Sequence, residues 1–189
     1  LGSAFAAVVG EAPMLKALAD AGTIPPLADR LPKNPMVVTP LREVGKYGGT
    51  WRSTIVGGGS LSMLFRYQAY EPLMRYNPEW TGVIPNVAES VVANDAATEF
   101  TFKLREGHKW SDGQPFTADD ILFWYNDVLL NKELTPTLPG WIKNPDGTAA
   151  KVEKVDDNTV RFTYAAPATL FLTAVANQAV ADRTLALFL

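Results

Sequence analysis

Few residues in this chain have the type and spacing that chemistry needs. There is one histidine, His108, on a charged turn beside Lys109, and no cysteine anywhere. Acid–base catalysis needs groups of tuned pKa held within reach of one another. A lone histidine with no thiolate partner supplies neither that pairing nor the usual ligand set of a transition metal. The carboxylate pairs Asp119-Asp120 and Asp156-Asp157 sit where a helix start and a hairpin turn want acids. They read as cap and turn residues. Carboxylates are plentiful, so a glycoside hydrolase with two distant acids remains an alternative by count, although no spacing points to one. Gly57-Gly58-Gly59-Ser60 offers backbone N–H groups that could converge on an anion. A nucleotide-binding loop would also need a Gly-Lys-Ser/Thr run, and no lysine follows. Two roles remain for this segment. One is a flexible turn between a strand and a helix; the other is a loop whose bare backbone approaches a ligand. Trp141 stands in a Pro/Gly-rich loop with no periodic face to bury it, and a loop aromatic is a flat platform for sugar rings or peptide side chains.

The elements that position these residues are organised around Phe100–Asp120. Phe100, Phe102 and Leu104 alternate with Thr101, Lys103 and Arg105, which places the apolar side chains on one face of a strand. Glu106-Gly107 ends that strand, and Gly113 supplies a turn residue free to take positive φ. Thr117-Ala-Asp-Asp120 predicts a helix start. Asp120 stands where Glu or Gln would reach better, so the capping box is expected to be imperfect. Ile121, Trp124, Tyr125 and Val128 then give the helix an apolar face to about Leu130. Upstream, Met14, Leu15 and Leu18 predict a short helix stopped near Gly22. Repeated prolines predict an extended arm over 24–41. A strand is expected over Thr50–Val56 and a helix over Ser62–Met74. Downstream, Lys151–Val155 and Thr159–Tyr164 predict a hairpin, and Pro167 a helix through Val175.

The balance of the chain is that of an ordinary globular protein: 189 residues, 47% hydrophobic, 20% charged, formal net charge −3. That charge offers no basic footprint for nucleic acid. No stretch approaches the ~20 apolar residues that span a bilayer. Leu1–Val9 reads either as the end of a signal-peptide apolar region, with Ala4-Phe5-Ala6 as a small-x-small cleavage site, or as an ordinary amphipathic or buried segment. Leu185–Leu189 is an uncapped apolar run, and the expectation is a chain that forms the N-terminal part of a longer protein.

Phe102, Leu104, Arg105, Gly107, Trp110, Asp112, Gly113, Pro115, Phe116, Thr117, Ala118 and Asp120 closely resemble, in order, the signature of the family 5 extracellular solute-binding proteins. These are the binding proteins of oligopeptide, dipeptide and nickel ABC importers. Phe100 departs from the family's usual tyrosine. Gly45-Lys-Tyr-Gly-Gly-Thr-Trp51, Tyr70-Glu71-Pro72-Leu73 (with Pro72 replacing a glycine), Pro85-Asn-Val-Ala-Glu-Ser90 and Val155-Asp-Asp-Asn-Thr-Val160 extend the resemblance from about Tyr47 to at least Tyr164.

The resemblance implies a mixed α/β fold, part of a two-lobed periplasmic-binding-protein-like architecture with an extra domain inserted in the first lobe. On that pattern 1–44 is an N-terminal arm and 45–63 the first-lobe strand and cleft loop. Residues 64–181 form the inserted α/β domain, and 182–189 begin a continuation. The segment after the first strand lines the ligand cleft in such proteins, so Gly58, Gly59, Ser60 and Ser62 are the expected contacts. Family members also place ligand-contacting aromatics in the loop that holds Trp141. The implied role is capture of an oligopeptide or oligosaccharide in the periplasm and its delivery to an ABC permease. The full-length protein would act as a monomer, with no catalysis, cofactor or metal. A hydrolase fragment and a chaperone-like binding module are the alternatives from other classes.

Overall fold

The computed structural model describes residues 10–60 and 71–177. The segments that raised the signal-peptide, start-of-helix and C-terminal expectations, Leu1–Val9, Ser62–Tyr70 and 182–189, lie outside the described residues.

Alternation along the chain becomes a four-stranded antiparallel sheet. Strand β3 spans Ala88–Ala93, β4 Glu99–Leu104, β5 Lys151–Asp156 and β6 Thr159–Thr163, in the order β3-β4-β6-β5. In register, Phe100 faces Phe162 and Phe102 faces Val160, while Val152 faces Phe162. All five side chains are buried, so one sheet face is apolar, as a period of two requires. Lys103, Glu99 and Arg161 on the other face pair as Lys103–Glu89 at 3.3 Å and Arg161–Glu99 at 3.7 Å. Such exposed pairs contribute little stability. A separate two-stranded hairpin is formed by β1 (Met74–Tyr76) and β2 (Val83–Pro85).

Helices cover the apolar face. Helix α1 spans Pro13–Asp20 and α2 Leu27–Arg30 on the arm; α3 (Ala118–Phe123) and α4 (Phe171–Val175) belong to the domain. The start of α3 confirms the expected cap and corrects its expected imperfection. The Asp119 N–H donates to Thr117 Oγ1 at 3.2 Å, and the Thr117 N–H donates to Asp120 Oδ2 at 2.7 Å. Aspartate therefore closes a reciprocal box. The helix does run on to Leu130, but Trp124–Leu129 widens into π-helical turns, with the Leu130 N–H donating to the Tyr125 carbonyl at 3.1 Å. Trp124, Tyr125, Val128 and Leu129 are all buried. Phe171 from α4 completes the core against Phe102, Phe162 and Tyr164, with centroids 5.9, 5.1 and 5.2 Å away.

Four expectations change. Met74 begins strand β1 rather than ending a helix, because Arg75 pairs with Ile84 and Met74 with Pro85. The arm carries the four-residue helix α2 inside the stretch expected to be extended. Helix α4 starts at Phe171, not at Pro167. Thr50–Val56 also differs from expectation: it is extended but pairs with no strand among the described residues, and Trp51 and Val56 are 80% and 87% exposed. A strand needs a partner, and period alone does not supply one.

Among the described residues, the arm is hydrogen-bonded to the domain around Arg105. Buried Arg105 donates from Nε to the Asn86 carbonyl at 2.8 Å and from Nη1 to the Asn34 carbonyl at 2.6 Å. The Lys33 N–H donates to the Glu106 carbonyl at 2.8 Å, and Lys109 Nζ to the Asp29 carbonyl at 2.7 Å. Ion pairs Lys33–Glu106 and Arg30–Glu11 flank this strap.

Candidate ligand-binding site

The loop expected to approach a ligand is a tight turn. Gly57 takes φ +73°, a left-handed conformation natural to glycine. Gly58–Ser60 then forms a single 3-10 turn. The Ser60 N–H donates to the Gly57 carbonyl at 3.2 Å, and Ser60 Oγ donates to the Val56 carbonyl at 2.9 Å. A Cβ built on Gly58 or Gly59 would meet nothing within 4 Å. The glycines therefore leave open space in front of the backbone; they are not needed for close packing. Ser62 lies outside the described residues.

Trp141 is not a free-standing loop aromatic. The loop before it closes in a 3-10 turn, Gly140–Ile142, that sinks Ile142 completely and turns the indole inward. Its ring lies nearly parallel to Trp124 (6.2 Å, 7°) and to Phe171 (5.9 Å, 20°). The Tyr164 hydroxyl donates to the Trp141 carbonyl at 3.0 Å, and burial lifts that phenol well above its ordinary pKa, so it stays a donor. This corrects the expectation that nothing buries Trp141. Its Nε1–H is sealed from solvent and has no partner among the described residues, a costly state for a donor. The expected contacts thus fall on two different elements: Gly58–Ser60 on the exposed turn that follows Thr50–Val56, Trp141 on the aromatic stack that closes the core.

The groups with acid–base potential are committed elsewhere. Lys154 pairs with Asp119 and with Asp157, each at 2.7 Å. Asp120 closes the cap and also accepts from Trp110 Nε1 at 3.2 Å, and Asp156 Oδ1 accepts the Asn158 N–H at 2.8 Å. His108 packs against Phe116 with centroids 5.6 Å apart. Burial first, and the nearby Arg105 charge second, hold its pKa below the ordinary imidazole value. It is therefore neutral at pH 7, with Nδ1 buried and without a partner among the described residues. Among the described residues no three His, Cys, Asp or Glu side chains gather into a metal site, and no helix is long and apolar enough to cross a membrane.

A groove of about 570 Å³ lies between the arm and the β1–β2 hairpin. Tyr76 and Trp80 stack in its wall at 5.0 Å and 19°. Trp80 is 76% exposed and takes φ +57°, a left-handed conformation that costs a side-chain-bearing residue about 1–2 kcal/mol. The only sequence signal was a tryptophan inside the turn Asn77-Pro-Glu-Trp-Thr-Gly82.

An antiparallel α/β layer that presents an open glycine turn and an aromatic stack, with the carboxylate pairs Asp119-Asp120 and Asp156-Asp157 tied up in a cap, a turn and ion pairs, has the character of a binding-protein module. Comparison with known proteins agrees. Residues 82–184 match the description of bacterial extracellular solute-binding proteins, family 5 (middle region), and the chain belongs to that family. It is 32% identical over 163 residues to a periplasmic alpha-galactoside-binding protein of Rhizobium meliloti (strain 1021), covering 76% of this chain and 23% of that protein. Its structure resembles an oligopeptide-binding protein OppA (TM-score 0.79, 38% identity, 88% of this chain and 26% of the other). It also resembles the periplasmic binding protein MelB of Agrobacterium fabrum C58, solved with stachyose (TM-score 0.61, 27% identity, 88% of this chain and 28% of the other). The chain spans about a quarter of the length of these relatives.

Proposed function

We propose that this chain is the N-terminal portion of the solute-binding component of an ABC importer. It captures an oligopeptide or an oligosaccharide in the periplasm and hands it to a membrane permease, as a monomer and without catalysis. The observation that carries this reading is the family match over residues 82–184. It is joined by likeness over 88% of the chain to both a peptide-binding and a stachyose-bound protein. In this reading residues 45–63 belong to the first lobe and 64–181 to the inserted domain. Gly58, Gly59, Ser60 and Ser62 offer backbone and hydroxyl groups to the solute, which lobe closure buries. The open space in front of Gly58 and Gly59 supports that assignment. Trp141 would contact the solute only through the part of its side chain left exposed, because the ring already stacks on Trp124 and Phe171 and its N–H is sealed inside.

The test is calorimetric titration of the intact gene product with stachyose and with a panel of short peptides. Saturable binding of one class, weakened when Gly58 and Gly59 are replaced by valine, is the expected result. Failure of both classes to bind would overturn the reading. So would steady turnover of a chromogenic glycoside that is lost on changing a single carboxylate, because it would point to a hydrolase.

A further inference from the structure

The Tyr76–Trp80 groove takes no part in the function proposed above, and its construction calls for a ligand of its own. Three turns of the domain share one design. An asparagine carbonyl accepts the N–H three residues on, at 3.0 Å for Asn77 and Trp80, 2.9 Å for Asn94 and Ala97, and 2.9 Å for Asn144 and Gly147. The asparagine amide then donates to the next threonine hydroxyl: Thr81, Thr98 and Thr148 at 2.7, 2.9 and 3.1 Å. In each turn the residue before that threonine has positive φ: +57° at Trp80, +51° at Ala97 and +87° at Gly147. Glycine is the unstrained choice there, and the fold uses it once. At the first turn it places its largest side chain in the strained position and leaves it 76% exposed, with a stack on Tyr76 that offsets only part of the strain. Backbone strain kept at a largely exposed aromatic is a pointer to function.

The surroundings decide which function. Stacking on Tyr76 holds the indole flat, and at 76% exposure a broad face of it stays open. The indole N–H has no partner among the described residues. Arg75 and Glu79 line the same groove, and neither side chain makes a hydrogen bond or ion pair among the described residues. Met36, Val38 and Pro40 form the opposite wall. The volume is within the ~300–1,000 Å³ typical of small-ligand sites.

We propose that this groove binds a pyranose ring of a neutral carbohydrate chain. The apolar C–H face of the ring lies on Trp80. Its hydroxyls accept from the Arg75 guanidinium and the indole N–H, and donate to the Glu79 carboxylate. One cation and one anion at the rim cancel, so a charged ligand gains no net attraction. An extended peptide would need ladder bonds along the arm, where Pro35 and Pro40 remove donors.

The experiment follows the tryptophan indole N–H resonances of the ¹⁵N-labelled protein while stachyose is added, with tri-alanine as the comparison. The Trp80 signal is identified by its loss in Trp80→Gly, a change that also relieves the left-handed strain and so should keep or raise the melting temperature. A saturable shift of the Trp80 signal with stachyose, and none with tri-alanine, is expected. Arg75→Ala and Glu79→Gln should each weaken it about tenfold, in line with the loss of one charge-assisted hydrogen bond, with melting unchanged. A Trp80 signal that stays still at high stachyose, or that moves equally with tri-alanine, overturns the proposal. Solute binding elsewhere leaves its mark on other resonances and persists in Trp80→Gly, so the two proposals fail separately.

Discussion

Replacing Arg105 with methionine should both destabilise the domain and release the arm. Arg105 lies inside the stretch that carries the family resemblance, yet its side chain does structural work. Arg105 as a whole is only 8% exposed, and its guanidinium bridges the carbonyls of Asn86 and Asn34. Hydrogen bonds from a charged donor contribute about 1.5–3 kcal/mol each. The Asn86 carbonyl is interior and would lose its partner outright, whereas the Asn34 carbonyl is nearer the surface and can turn to water. Counting the first bond fully and the second in part gives a loss of roughly 3 kcal/mol, or about 6–12 °C in melting temperature for a chain of this size. Methionine keeps the apolar stem, so most of the packing survives. Lysine, a point charge with no fork, can serve one carbonyl at a time and should fall between. Urea unfolding gives the stability, and limited proteolysis of residues 20–40 reports on the arm. If Arg105→Met unfolds at the wild-type urea midpoint and the arm is cut no faster, the strap is not what holds the arm, and the reasoning fails.

Phe162→Ala should cost about 3–5 kcal/mol in urea unfolding, because the ring is fully buried between Phe102 and Phe171 at 5.6 and 5.1 Å; a loss below 1 kcal/mol would contradict that packing. Thr117→Ala should cost about 1 kcal/mol by removing the acceptor of the Asp119 N–H, and a silent change would mean the cap is redundant. His108 is the single histidine, and its folded pKa is depressed from 6.5. Its contribution is therefore whole above pH 6.5 and is lost as pH falls through the folded value. Stability should decline on acidification below about pH 6.5, and His108→Gln should flatten that decline; an unchanged slope in the variant would assign it to other groups.

What the sequence determined by itself was local and periodic. The alternation of Phe100, Phe102 and Leu104 placed three side chains on one face whatever lay opposite, since a strand's period of two is a property of its own backbone. The Thr117 cap and the Asp156–Asn158 turn likewise needed only neighbours a few residues away. Trp141 was a different case. Its burial depends on Trp124 and Phe171, which are distant in sequence, and no local pattern around it announces them. Thr50–Val56 had the alternation of a strand, but pairing is decided by another segment, and none of the described residues provides one. Met74 entered β1 because Pro85 and Ile84 were there to accept the strand, overriding an apolar spacing that also suited a helix. The strap at Arg105 and the groove at Trp80 belong to the same class. Each joins an arm to a domain that meet only in the folded chain, so tertiary structure alone could decide them.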